Sequence, residues 1–426
     1  MKRIRLTRED RVKGETTMKR IFALLAVMAL MVAACGTDAT PETTEATGGT
    51  ETTAATETTE APAEGIQAAA NACAEGATDG TLNLYNWTDY IPTGPLAEDF
   101  EVDDLLLKFE EEHGETVTLT FFNSNEDMLA QIDAGASYDV VVPSDYMVVT
   151  MIDADLLVEL NRAAIPNLDA NIAPLFSDPG YDPGNRFSAP YQWGTTGIGF
   201  SYEAIDDTEG VSWGVLFDPE MAAPNAGFIS LLDDTRETLG SALKYLGYSL
   251  NTLNTDEVDE AADLIASTNE WIAAFNSSSY WTLLSSGEFN VSQGWNGDFL
   301  AEYDRISEYD DEGNLTYDAY EDFGYAIPIE GSAAWVDTMA IPTTAEHPCT
   351  AQTFINFMLE AENGATLTNF NYYASPNEAA EEFIYEDILE WEAVYPPPET
   401  MAILEFFLDL GDMNNYYADA FTRAKG

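Results

Sequence analysis

Positive charge is what this chain has least of: across 426 residues, 16 Lys+Arg stand against 76 Asp+Glu, a formal net charge of −60. Nucleic acids need a basic face to displace phosphate counterions, so they are excluded as partners, and bare anionic lipid would be repelled as well. The natural partner is a cation. Histidine is limited to His113 and His347, and cysteine to Cys35, Cys73 and Cys349. These do not form a ligand-spaced cluster, so neither a zinc site nor any other metal or cofactor is expected. No G-x-x-x-x-G-K-[ST] phosphate loop occurs, so any energy for transport must come from another chain. What the chain does have is 46% hydrophobic and 12% aromatic residues, enough for a globular core despite the charge. At this length two lobes are the default, because single cores stop growing at roughly 250–300 residues.

Charge and apolarity are unevenly spread. Eight of the basic residues (Lys2, Arg3, Arg5, Arg8, Arg11, Lys13, Lys19 and Arg20) precede an apolar run from Ile21 to Ala34. That run is shorter than the roughly 20 residues of a membrane span and reads as a secretory signal peptide, residues 1–34. Val32-Ala33-Ala34-Cys35 is similar to a bacterial lipobox, with Cys35 the lipidated mature N-terminus; the alternative is an ordinary small-residue cleavage site. Met18-Lys19-Arg20 would make a more typical start than Met1. Export implies an oxidising compartment, where Cys73 and Cys349 are a candidate disulfide. Beyond Cys35, sequence such as Glu57-Thr58-Thr59-Glu60 has no apolar periodicity and cannot bury enough surface to fold. Residues 35–79 are therefore expected to be a lipidated cysteine and a disordered acidic, Thr-rich tether.

From residue 80 onward the pattern is that of an α/β protein. Leu82–Trp87, Thr116–Phe122 and Val140–Pro143 read as strands, with helical spacing at Leu105–Glu112 and Met128–Ala134. Alternation of this kind implies a largely parallel sheet, whose ligands gather at strand carboxyl ends. The glycine-rich Trp193–Gly199 reads as a crossover into a second lobe and lacks dinucleotide-binding spacing. Helical patterns follow at Thr235–Leu246, Asp256–Ile272 and Thr353–Leu367, with strand-like segments at Phe228–Leu232 and Met339–Pro342. Glu302–Phe323 reads as an acidic surface insertion.

Chemistry is suggested where aromatics stand beside carboxylates at segment ends: Trp87 with Asp89 and Tyr90, Trp295 with Asp298, and Trp335 with Asp337. A protonated amine gains from both, through charge-assisted hydrogen bonds and cation–π attraction of about 0.5–2 kcal/mol. For each pair the bland alternative is a core tryptophan and a solvated acid. Asp234 and Glu237 add an acidic point at a helix start, where the alternative is N-capping and where Arg236 could neutralise one of them.

The motifs Leu84-Tyr85-Asn86-Trp87-Thr88-Asp89-Tyr90-Ile91-Pro92, Tyr138-Asp139-Val140-Val141-Val142-Pro143-Ser144, Leu232-Asp233-Asp234-Thr235-Arg236-Glu237, Trp295-Asn296-Gly297-Asp298 and Trp335-Val336-Asp337 occur in this order. The chain from about Thr81 onward thereby resembles the spermidine/putrescine-binding proteins of bacterial ABC transporters. The resemblance implies an α/β, two-lobed periplasmic-binding-protein fold of type II, with two crossover strands and a ligand cleft between lobes. It places 80–197 in lobe 1 and 198–334 in lobe 2, with 335–426 returning to lobe 1 and its C-terminal helices. Trp87, Thr88, Asp89 and Tyr90 would form the first ligand loop, with Ser144 and Tyr146 lining the same lobe. Asp234 and Glu237 would be acidic contacts of the other lobe, Trp295 an aromatic wall, and Asp298 the acid of putrescine-type members. Trp335 and Asp337 would grip a terminal amine, with Tyr373 a further wall.

One departure is at about Phe407, where spermidine-type members carry a ligand-touching glutamine. Asp234 together with Asp298, in turn, offers more anionic points than a diamine requires, and tilts the reading towards spermidine or a wider polyamine range. The expected role is therefore capture of a polyamine outside the cytoplasmic membrane, without catalysis, and delivery to an ABC permease by a protein anchored through lipid. Two alternatives are a secreted glycoside hydrolase using paired carboxylates and a ferric-ion carrier using Tyr372-Tyr373 and Tyr416-Tyr417. Two histidines and the lack of H-E-x-x-H narrow other hydrolytic routes.

Overall fold

The computed structural model describes residues 62–207, 210–310 and 312–426. The expected signal peptide, Cys35 and the part of the expected tether up to residue 61 lie outside the described residues. Among those described, no helix is long and apolar enough to cross a membrane.

Short local signals set the element ends. Asp104 caps helix Leu105–His113 by accepting from the Leu107 amide, and Gly114 closes it at φ 77°. Asp234 and Gly247 (φ 82°) bracket helix Thr235–Leu246 in the same way. The strands in chain order are β1 (Leu82–Trp87), β2 (Val117–Phe122), β3 (Val140–Val141), β4 (Ser188–Ser201), β5 (Ile229–Leu231) and β6 (Ile272–Phe275). They continue with β7 (Val291–Trp295), β8 (Glu308–Tyr309), β9 (Leu315–Tyr317), β10 (Phe323–Ala326), β11 (Ala333–Ala340) and β12 (Glu405–Phe406).

Strand order is β2-β1-β3-β11-β4-β7-β5-β6, with β10 beside β4, β12 beside β11, and a separate β8-β9 pair. The outer pairs β1-β2, β1-β3, β5-β6 and β5-β7 are parallel, whereas β4 and β11 run antiparallel to their main neighbours. These two long buried strands are shared. The first part of β4 pairs with β11, while Thr196–Phe200 pairs with β7. β11 in turn reaches from β12 at Ala333 to β3 at Ala340. They are the two crossovers of a two-lobed fold. One core gathers Leu84, Val140, Met147 and Phe354; a second gathers Trp213, Ile229, Leu239 and Val258.

Three expectations are corrected. Residues 62–72 are not tether but helix Pro62–Ala72; Ala70 is fully buried, Gln67 bonds the Glu159 backbone, and Cys73 is disulfide-bonded to Cys349. Alanine-rich composition and the cross-link hold this segment on the domain. The chain end does not stay with lobe 1: helix Met413–Lys425 buries Tyr417, Ala420 and Phe421 in the second core, so residues 405–412 form a third connection. Finally, the single helix expected at 353–367 is two, Pro348–Met358 and Ala361–Asn371.

Candidate functional site

The cavity between the lobes is built at strand ends. β1 ends at Trp87, whose indole N–H donates to the Val142 carbonyl at 2.9 Å, fixing the ring against the turn after β3. That turn delivers Ser144, and a bridge joins Ser144 to Asp337 on β11. β7 ends at Trp295, after which helix Asn296–Ile306 begins and presents Asp298 in its first turn. Asp234, following β5, caps its helix by accepting from the Arg236 and Glu237 amides at 2.9 and 3.0 Å. The capping reading of Asp234 is therefore correct, and Asp234 also lines the cavity.

Trp335 and Asp337 lie inside β11, a strand longer than the expected Met339–Pro342. A register shift follows Asp337, the local kink by which strands commonly re-aim a side chain at a site. Opposite Trp335 is Gly194 of β4, where an added Cβ would stand 2.6 Å from the indole. The glycines of Trp193–Gly199 serve close packing: a Cβ on Gly199 would meet Phe299 at 2.3 Å.

Twelve of the thirteen residues expected at the site line this cavity. The exception is Asp89, which is exposed at the rim in a left-handed conformation (φ 54°). The Ser144 hydroxyl donates to Asp337 at 2.6 Å, and Asn125 holds Ser144 from both sides at 3.0 Å. Asp298 accepts from Tyr280 at 2.6 Å and from Tyr373 at 2.7 Å. Glu237 accepts from the Trp295 indole at 2.9 Å, and its other oxygen is buried without a partner. The aromatic walls form two groups of touching rings: Trp87 to Trp295 at 6.2 Å, and Tyr373 with Trp335 at 5.2 Å and Tyr90 at 5.3 Å.

Burial shows in the acidities, even with Arg236 among the lining residues. Desolvation pushes Asp337 up to about 7 and Asp298 up to about 6. Glu237 rises to about 8, through desolvation first and then the nearby Asp234. Directly behind Ser144, Asp145 is 1% exposed and has one oxygen without a partner; desolvation raises it to about 8. The arrangement is an acidic, aromatic slot complementary to positive charge, in which two residues the sequence did not mark, Asn125 and Tyr280, set the geometry. Asn125 sits in a helix start that reads as capping, and Tyr280 in a serine-rich stretch, so neither carries a sequence signal.

The alternative chemistries do not assemble. Among the described residues no cluster of His, Cys, Asp or Glu could hold a metal. Tyr373 faces the cavity, but the Tyr416 hydroxyl donates to Asp259, away from it. Gly210-Val211-Ser212-Trp213-Gly214 matches the G-x-S-x-G letters of a hydrolase nucleophile, yet the Ser212 hydroxyl donates to Glu330. Neither histidine is its partner: His113 ends a helix beside Phe109, and His347 faces Asp139.

Two long shared strands between two α/β cores, with a cleft at the strand ends, define a solute-binding protein. The family model for bacterial extracellular solute-binding proteins matches residues 104–394, and the chain belongs to that family. It is 35% identical to a putrescine/cadaverine-binding protein of Pseudomonas aeruginosa, over 77% of this chain and 88% of that one. It is 31% identical to the spermidine/putrescine-binding periplasmic protein of Escherichia coli, over 85% of this chain and 97% of that one. Among solved structures, a spermidine/putrescine ABC transporter substrate-binding protein from Streptococcus pneumoniae aligns with a TM-score of 0.63 and 34% identity. That alignment covers 82% of this chain and 99% of the other. The protein is thus a transport component, not an enzyme, and its relatives work outside the cytoplasm. The glycosidase and ferric-carrier readings gain no support from them.

Proposed function

We propose that this protein captures a polyamine in the cleft between its lobes and hands it to an ABC permease. The observation that carries this reading is the cavity itself, where Asp337, Asp298 and Glu237 are walled by Trp87, Trp295, Trp335 and Tyr373. Three carboxylates taken from water each lose solvation, and an alkyl diamine or triamine relieves that cost while its methylenes lie on the rings. Of the expected contact residues, Trp87, Thr88, Tyr90, Ser144, Tyr146, Asp234, Glu237, Trp295, Asp298, Trp335, Asp337 and Tyr373 are assigned to the ligand. Asp89 is assigned to the rim, where its charge would steer an approaching cation. Closure of the lobes by hinge motion at β4 and β11 would commit the ligand. Cys35 is proposed as the lipid attachment point that holds the protein outside the membrane.

A thermal-shift panel of putrescine, cadaverine, spermidine, spermine, choline and ferric ion on the purified protein tests this. A polyamine at 100 times its Kd should stabilise the protein by about 2.7 kcal/mol. No shift with any polyamine, or a shift with ferric ion only, would refute the reading.

A further inference from the structure

Beyond residue 34 the chain has 8 basic against 73 acidic residues, so every base has carboxylates to choose from. Among the described residues Arg162, Arg186, Lys244, Arg305, Arg423 and Lys425 each form an ion pair. Lys108 instead holds its amine 2.8 Å from the side-chain oxygen of Asn363, 255 positions away. Lys108 lies on helix Leu105–His113 and Asn363 near the start of helix Ala361–Asn371, and Asn363 is 0% exposed. The surroundings are aromatic. The Lys108 amine stands 6.0 Å from the Phe357 ring centre, and Phe357 packs on Phe109 at 5.4 Å and on Phe354 at 6.4 Å.

The Asn363 amide nitrogen is held as well. It donates to the Phe357 carbonyl at 2.8 Å and to the Glu360 carboxylate at 3.3 Å. Desolvation and, after it, the charge of Glu112 raise the acidity constant of Glu360, while Lys108 opposes the rise. A group that readily carries a proton thus sits beside the amide nitrogen. A carbonyl carbon lies about 1.2 Å from its oxygen, so the Lys108 nitrogen has the Asn363 carbon within about 4 Å. Near-attack geometries lie at roughly 3–3.5 Å, a side-chain adjustment away.

We propose that Lys108 and Asn363 join in an intramolecular isopeptide bond, with Glu360 moving the protons. Glu360 takes a proton from the Lys108 ammonium, and the freed amine attacks the Asn363 carbonyl carbon to form the new N–C bond. Glu360 then returns the proton to the amide nitrogen, the bond from carbon to that nitrogen breaks, and the carbonyl re-forms. Ammonia leaves, carrying as ammonium the proton that the new amide nitrogen sheds. One positive charge enters as lysine and one departs as ammonium, so no oxidant or further reactant is needed. Asn363-Gly364 could also expel ammonia through a backbone succinimide, but the Gly364 amide is committed to the Glu360 carbonyl at 2.9 Å. The link fastens two helices that pack on the first core and, like a disulfide, restricts the unfolded chain. It is independent of the polyamine reading.

Peptide mapping of the purified, reduced protein with a protease that cuts after acidic residues is the test. The expected result is a linked pair of peptides, one with Lys108 and one with Asn363, lighter than their sum by one ammonia. Lys108→Arg keeps the charge but is too weak a nucleophile, and should release both peptides singly at full mass. Glu360→Gln should lower the linked fraction at least about tenfold. Because Glu360 is exposed, that variant probes the chemistry without disturbing the fold. Wild-type Lys108 and Asn363 recovered in separate, full-mass peptides would overturn the link. So would an ammonia deficit at Asn363 that persists in Lys108→Arg, the mark of a succinimide. An unchanged linked fraction in Glu360→Gln would overturn the proton role of Glu360.

Discussion

Asp337 illustrates how a single residue couples function to stability. In the empty site its carboxylate is buried with a hydroxyl donor and no cation, so ionisation costs free energy that a bound ammonium would return. Asp337→Asn should therefore act in opposite directions. Polyamine affinity falls by about 3 kcal/mol, roughly a hundredfold or more, while the ligand-free protein at pH 8 becomes as stable as the wild type or more so. Calorimetry and thermal melts on the same preparations check the pair; a loss of both would mark Asp337 as structural only. The pH dependence follows from the same groups. Asp298, Asp337 and Glu237 lie at about 6, 7 and 8, against an ordinary carboxylate value near 4. From roughly pH 4 to pH 8 the folded empty protein holds more protons than the unfolded chain, so stability from these groups falls as pH rises. Ligand binding draws on the ionised forms, so the polyamine-induced melting shift should grow from pH 5 to pH 8, with proton release seen as buffer-dependent binding heat. A shift that is flat across this range contradicts the assignment.

At the scale of elements, the site depends on how closely β4 and β11 approach. Gly194 lets the Trp335 ring lie across β4, with Asn296 as the other neighbour at 2.7 Å from any added Cβ. Gly194→Ala should cost about 1–3 kcal/mol of stability by overpacking and weaken polyamine binding by displacing the indole. Denaturant melts and titrations report the two effects; full affinity in the variant would detach Trp335 from the site. Much of this level was legible beforehand. The Leu/Phe spacing of Leu105–His113 and the Asp–Gly brackets of Thr235–Leu246 are local signals, and both helices lie where periodicity puts them. The break between Pro348–Met358 and Ala361–Asn371 was not, because Leu359 extends the apolar Phe357-Met358 pattern and neither Gly nor Pro marks the turn at Glu360. Burial of β11 over its whole length likewise hides it from an alternation rule that expects one wet face.

The whole molecule is tied by long-range links. The disulfide between Cys73 and Cys349 joins positions 276 residues apart, and the third connection at 405–412 brings the terminal helix onto the second core. Neither cysteine lines the cavity. Cys349→Ser should thus lower stability by roughly 2–4 kcal/mol and leave polyamine affinity within about twofold. Non-reducing gels and melts check this, and a large loss of affinity would show that the staple shapes the cleft. The charge also acts at this scale. Removing residues 1–34 would leave 8 basic against 73 acidic residues, a net of −65. Among the described residues most carboxylates face solvent, which suits solubility and cation attraction, and only a few reach the cavity.

What the sequence determined by itself was the class of chemistry: a cation, from acids beside aromatics at strand ends, and the fold, from alternating periodicities and ordered motifs. Those signals are local, carried by residues a few positions apart. Only the tertiary structure decided which of these acids are buried together, that Asp89 stays exposed, and that Arg236 and Phe407 line the same cavity. Burial, like-charge proximity and the lining of a cavity arise between residues distant in the chain, such as Ser144 with Asp337 and Tyr146 with Phe407. No spacing rule reads them in advance.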